Sequence, residues 1–166
     1  MDKNKRRTID GWVDKAGKQL ETAKQHLSLA HHSEAVQAAQ ECIELSVKAI
    51  LSYLEIAYPP SHKWKQDKDQ FNSLAKQIKD RKILDKLEQL YMAFTVPLPR
   101  LIFLMNFWGE SYNVAKYGFE AEHLASAGDI FKVKEAELAS LNAEECHNAA
   151  VTIQMLSDEN LEALLS

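Results

Sequence analysis

Lys116 and His123 bracket the stretch KYGFEAEH, in a chain with few other side chains that could do chemistry. A lysine offers a compact positive charge that can neutralise a phosphate. A histidine titrates near neutrality and can act as general base or general acid. The stretch is open to three readings: the remnant of a catalytic site, a nucleotide contact through Lys116 and Tyr117, or the hand-over from one helix to the next. In the last reading Lys116 is a cation at a helix C-terminus, where the helix dipole favours it, and His123 is a surface residue beside Glu120 and Glu122. Those two carboxylates would repel a nucleic-acid backbone.

Trp64 lies in HKWKQDK between Lys63 and Lys65. An aromatic face flanked by cations suits a stacked base of single-stranded nucleic acid or a nucleotide. The competing reading is a tryptophan that pins a linker to the body of the protein. Glu44 and Lys48 are four residues apart, so on a helix they form either a structural ion pair or a ligand contact. His31 and His32 are adjacent and on a helix point apart, which does not make a metal site. No Gly-rich phosphate loop, zinc spacing or nucleophile elbow occurs, so no metal or cofactor is expected.

Charge is unevenly placed along the chain. The net charge is −4, yet residues 1–116 carry 18 basic and 14 acidic side chains (+4) and residues 117–166 carry 2 basic and 10 acidic (−8). The basic excess is densest from Lys63 to Lys86, with eight Lys or Arg against four Asp. That face is either solvated or a local contact for nucleic acid. The 2 cysteines, Cys42 and Cys146, have no motif spacing, which points to a reduced, cytoplasmic compartment. The N-terminal MDKNKRR leads into an amphipathic stretch and not a signal-peptide core, and no apolar run is long enough for a bilayer.

These residues need elements to position them, and the apolar spacing is helical throughout. With 46% hydrophobic residues and only 5 Gly and 4 Pro in 166, the chain fits one domain with a sizeable core and poorly fits a sandwich of short strands. Ile9, Trp12, Val13, Ala16, Leu20, Ala23, Leu27 and Ala30 form one stripe, with Thr8 or Asp10 as its cap. Ser33 is placed to cap a second helix, whose apolar residues from Ala35 to Leu54 exceed one stripe. Such a helix belongs at the centre of a bundle. Tyr58-Pro59-Pro60 stops it. A third helix spans Phe71 to Ile78, and a fourth spans Ile83 to Phe94, broken or kinked by Pro97 and Pro99. LIFLMNFW reads as a buried helix that runs on to Lys116 and ends at Gly118 as a left-handed cap. DIFKVK has weak strand character. Asn142, with Glu145 three residues on, resembles a capping box that opens the next helix, and Ser157 or Asp158 caps a last short one. The expectation is a single all-α domain over residues 1–166, an up-and-down helical bundle of about five to six helices whose first two are antiparallel.

HSEAVQAAQECIELSVKAIL, residues 32–51, resembles the signature helix of the HEPN domain (higher eukaryotes and prokaryotes nucleotide-binding). Ala38-Ala39-Gln40, Glu44 and Lys48-Ala49-Ile50 look like the small residues, the Gln, the Glu and the Lys-Ala-hydrophobic ending of that helix. AKQHLSLAHHSEA looks like the end of the family's first helix and its short turn, and His62 matches a histidine often found after the break. NVAKYGF, residues 113–119, looks like the family's Arg-Tyr-Pro or Arg-Tyr-Gly segment with Lys116 in place of Arg. The resemblance covers roughly residues 10–156.

What the resemblance implies is a dimeric helical bundle, often encoded beside a small nucleotidyltransferase that acts as antitoxin. Catalytic members use an Arg followed by four to six residues and a His, and Lys116 and His123 fit that spacing. There His123 would act on a ribose 2′-hydroxyl or the leaving oxygen. Lys116 departs from the pattern, because it lacks the planar fork that grips a scissile phosphate. The expected function is a nucleotide-, nucleic-acid- or partner-binding module of a toxin–antitoxin-type pair, with sites at Lys63, Trp64, Lys65, Tyr117, Lys48, Glu44 and His62. The alternatives are a metal-independent endoribonuclease toxin using Lys116 and His123, and a structural helical adaptor. A homodimer is expected as well, because the second helix and the run from Leu98 to Trp108 present more apolar surface than one protomer covers.

Overall fold

Asp2, not Thr8 or Asp10, caps the first helix in the computed structural model, which describes residues 1–58, 68–118 and 125–166. Its carboxylate accepts from the Lys5 backbone N–H at 3.4 Å. Thr8 sits inside the helix with its hydroxyl on the Asn4 carbonyl, and Asp10 accepts from the Tyr53 hydroxyl. Helix α1 (Lys3–Ser28) is followed by α2 (His32–Tyr53). Ser33, expected as a cap, lies inside α2, where its hydroxyl donates to Glu34. Then come α3 (Lys68–Asp80), α4 (Ile83–Gln89), α5 (Leu98–Gly109), α6 (Ser111–Tyr117), the single turn α7 (Ala127–Ile130), α8 (Val133–Gln154) and α9 (Asp158–Leu165). The fold is all-α, with no strand among the described residues. Among the described residues the nine helical segments exceed the five to six expected; the run from Leu98 to Tyr117 divides at Gly109–Glu110, and the short α7 and α9 count as separate segments.

Three long helices make the core. Lys5–Glu55 at 3.0 Å joins the start of α1 to the chain just past the end of α2, and Lys15–Glu41 at 2.9 Å joins the middles of the two helices, so they are antiparallel. Lys24–Glu144 at 2.9 Å and Arg6 on the carbonyls of Gln154 and Leu156 lay α8 antiparallel along α1. Helix α2 sits between its neighbours and buries residues around more than half of its circumference, as its sequence requires: Ala35, Val36, Ala39, Cys42, Ile43, Val47, Ile50 and Leu51 are all buried. Fully burying one such Val, Leu or Ile stabilises by about 1.5–3 kcal/mol. Alanines line the shared faces, Ala16 and Ala23 on α1 and Ala139, Ala143 and Ala150 on α8. Side chains this short let helix axes approach closely. Helices α5 and α6 cover another side of α2.

Several helix ends differ from expectation. Helix α2 ends at Tyr53, ahead of Tyr58. Helix α4 ends at Gln89, and Tyr91 and Phe94 lie in the following turns, each 94% exposed. Pro97 and Pro99 do not kink α4. They open α5, where a missing N–H costs nothing. LIFLMNFW is helical as expected. Residues 129–134 hold no strand: Asp129 and Ile130 close α7 and Val133 begins α8. Asn142 therefore lies in the middle of α8. Its Oδ1 accepts from the buried Trp108 Nε1 at 3.0 Å, and Glu145 pairs with Arg100 at 2.6 Å instead of closing a capping box. The reaching-back carboxylate at the true start is Glu135, which accepts from the Lys132 N–H at 3.0 Å. Ser157 caps α9 as expected, accepting from the Asn160 N–H at 3.2 Å. No helix among the described residues is long and apolar enough to cross a membrane.

Candidate functional site

Gln40, Glu41, Glu44 and Leu45 share one face of α2, because helical residues four apart stack on the same side. With Lys15 of α1 and Tyr112 of α6 they line a cleft of about 290 Å³. Glu44 is held from two directions within α2. Its Oε1 is 2.5 Å from the Lys48 ammonium, and its Oε2 accepts from the Gln40 amide at 3.1 Å. Both members of the Glu44–Lys48 pair are mostly buried, with side chains 15% and 12% exposed, so solvent screens the pair little. Of the two readings open to this pair, the geometry supplies the structural ion pair and sets it in a cleft wall. Lys15 and Glu41 close the rim. The hydrogen bond that Lys15 donates to Glu41, followed by the charge of that carboxylate, pushes the Lys15 pKa above the ordinary value.

Tyr112 and Lys116 are also four residues apart and face the same way on α6. The Lys116 ammonium lies 5.7 Å from the centre of the Tyr112 ring and 5.1 Å from that of Tyr117, within cation–π range. Lys116 and Tyr117 are exposed, and no carboxylate among the described residues pairs with Lys116. Hydrogen bonding with Tyr117, then the charge interaction with Tyr112, pushes the Lys116 pKa upward. Gly118 ends α6 with its N–H on the Val114 carbonyl at 2.9 Å. Its φ of 68° has the expected sign, but ψ is −160°. That is not the left-handed helical cap anticipated but a region open essentially to glycine alone.

Four of the expected residues thus lie at or beside this cleft: Glu44 in its wall, Lys48 bonded to Glu44, and Lys116 over the Tyr112 ring with Tyr117 next to it. His62, Lys63, Trp64, Lys65 and His123 lie outside the described residues. Sequence reasoning missed Tyr112, Lys15, Glu41 and Leu45. The signal for Tyr112 was its spacing of four from Lys116; nothing local pointed to Lys15, which joins through tertiary packing. Among the described residues, no group of three His, Cys, Asp or Glu could hold a metal ion.

A family model described as the HEPN domain matches residues 9–101, more than half of the chain. The chain belongs to the HEPN domain family. The match takes in the apolar stripe of α1 and all of α2, including its wall of the cleft, and ends within α5. No curated protein and no solved structure matches the chain.

Proposed function

We propose that the protein is a nucleotide- or RNA-binding helical module that holds a base in the cleft between α1, α2 and α6. The observation that carries this reading is the meeting of signature-helix side chains with an aromatic ring in one cleft, beside a lysine over that ring, Lys116, that forms no ion pair among the described residues. Gln40 offers a neutral donor and acceptor, and Glu41 and Glu44 offer acceptors for the amino edge of a base. Tyr112 supplies a stacking face, and Lys116 at the rim supplies the charge for a phosphate. The test is fluorescence anisotropy with labelled single-stranded RNA and with mononucleotides at low and moderate salt. Removing the Tyr112 ring in Tyr112→Ala should weaken binding roughly 5- to 150-fold, from about 1–3 kcal/mol of stacking per base. Lys116→Ala should flatten the salt dependence. Absence of binding at low salt, or unchanged binding by Tyr112→Ala, would remove the proposal. Cleavage beyond binding requires His123: equal, background-level RNA cleavage by wild type and His123→Ala leaves the protein a binder.

The same reading includes a homodimer and a small nucleotidyltransferase as antitoxin-type partner, in the cytoplasm. Family membership supports the second. For the first, Arg100, Phe103 and Phe107 lie on one face of α5, and Leu138, Leu141 and Glu145 lie on one face of α8 by the same three-and-four spacing. The Arg100–Glu145 pair, at 2.6 and 2.9 Å, joins the two faces. Phe103, Phe107, Leu138 and Leu141 are all about half exposed, an apolar stripe of the kind that marks a protein interface. Light scattering should report a dimer that Phe103→Glu with Phe107→Glu converts to monomer. A monomer at high concentration in the wild type counts against it.

A further inference from the structure

A second pocket, of about 360 Å³, opens between α3, α4 and α5 and shares no residue with the cleft. Its floor is aliphatic: Leu74 and Ile78 of α3 and Ile102 of α5 are buried. Phe71 of α3 and Leu84 of α4 also line it and stay 45% and 43% exposed, so the pocket is open to solvent on an apolar side. Helix α3 packs on α4 and touches the long helices only sparsely. It is tethered by its polar side instead. The Gln77 amide makes paired hydrogen bonds with the Ala57 backbone at 2.8 and 3.2 Å, and Arg81 donates to the Glu55 carbonyl at 3.1 Å. That anchorage leaves the apolar face of α3 above a pocket instead of closed upon it.

The polar groups on this pocket are few and of mixed sign: Lys79, Lys82 and Asp85. Neither lysine forms an ion pair among the described residues. Lys82 stands at a left-handed position, φ 51° and ψ 37°, where glycine or asparagine is sterically easier. The pocket size is ordinary for a small-molecule site. A nucleobase is a poor occupant, since its polar edge would meet aliphatic walls and each buried unpaired group is costly. A hydrocarbon chain has no such edge, and its head would lie beside two unpaired ammonium groups and one carboxylate.

The geometry points to a binding site for a free single-chain aliphatic anion, its acyl chain between α3, α4 and α5 and its anionic head at Lys79 and Lys82. The probe is decanoate, titrated calorimetrically into the full chain, with 1-decanol and decyltrimethylammonium as the neutral and cationic comparisons. Decanoate should bind one to one, more tightly than decanol, and the cation least. Replacing decanoate by octanoate should weaken binding roughly ten- to fifteen-fold, from about 0.8 kcal/mol per buried methylene. Ala75→Trp should fill the pocket and abolish binding. Lys79→Gln with Lys82→Gly should weaken decanoate but not decanol. Since glycine relieves the left-handed position, this variant keeps its fold, and thermal melting of both variants confirms that binding and not folding has changed. Equal binding of the anion and the cation would overturn the proposal. So would full decanoate binding by a folded Ala75→Trp. Co-sedimentation with phosphatidylglycerol vesicles without any binding of free decanoate would overturn it too, since that ligand would be a membrane surface.

Discussion

Replacing Gly118 by alanine tests whether α6 and the rim of the cleft depend on this one residue. A Cβ built at Gly118 would lie 2.5 Å from the Ala125 carbonyl oxygen and 2.9 Å from the Ala127 nitrogen. Both are backbone atoms, so no flexible side chain can swing aside. The dihedral pair, 68° and −160°, is itself hostile to alanine, at about 1–3 kcal/mol. Adding a displacement of the backbone from Ala125 to Ala127, of similar order, gives a loss of about 2–5 kcal/mol. For a chain of this length that corresponds to a fall in Tm of roughly 5–15 °C. Gly11→Ala is the matched control. Gly11 lies inside α1 with nothing within 4 Å of its would-be Cβ. There alanine should stabilise by about 0.5–1 kcal/mol through helix propensity. Urea denaturation followed by far-ultraviolet circular dichroism reads both. A Gly118→Ala variant within about 0.5 kcal/mol of the parent would refute the reasoning, because neither the backbone region nor the close approach could then be real.

Two further outcomes follow from the core. Trp108→Phe strips the Asn142 amide of its buried donor, bonded at 3.0 Å, and should cost about 1–3 kcal/mol in the same urea assay; a negligible loss would show that Asn142 finds another partner. Burial pushes the Cys42 thiol up to about 12 and Cys146 upward as well, so both stay protonated at pH 8 and inert to a disulfide reagent until the chain unfolds. Rapid stoichiometric labelling of the native protein at pH 8 would contradict that burial.

The centre of the bundle was legible because α2 carries its instruction locally: apolar residues over more than one stripe of a helix leave no place for it but the middle. The long stripe of α1 and the helicity of LIFLMNFW were legible for the same reason. Helix α8 was not. Leu138 and Leu141 are exposed, so its first half shows no clean stripe, and the polar pair Asn142 and Glu145 imitates a helix start. Both residues are engaged elsewhere, with Trp108 and Arg100, and a local spacing rule cannot register partners 34 and 45 residues away. Helix α4 was overextended because Tyr91 and Phe94 continue its apolar rhythm while lying in turns at the surface. At the candidate site, the pairing of Glu44 with Lys48 could be read from their spacing. The approach of Lys15 and Tyr112 could not, since it depends on how α1 and α6 dock on α2.

Charge narrows what the α1–α2–α6 cleft can accept. Its walls hold two carboxylates, Glu41 and Glu44, each already joined to one lysine, Lys15 and Lys48. A phosphate entering there would gain little from lysines so engaged and would face both acids at short range. A base brings amino groups that can donate to the same acids, so on the proposed reading the cleft takes the base and not the phosphate. The phosphate is left to the exposed rim, where Lys116 forms no ion pair among the described residues and its ammonium rests on tyrosine rings. This division accounts for how a chain whose last 50 residues carry 2 basic and 10 acidic side chains could still bind nucleic acid. Contact would be local, one or a few nucleotides long, with a shallow salt dependence set by Lys116 and few other cations.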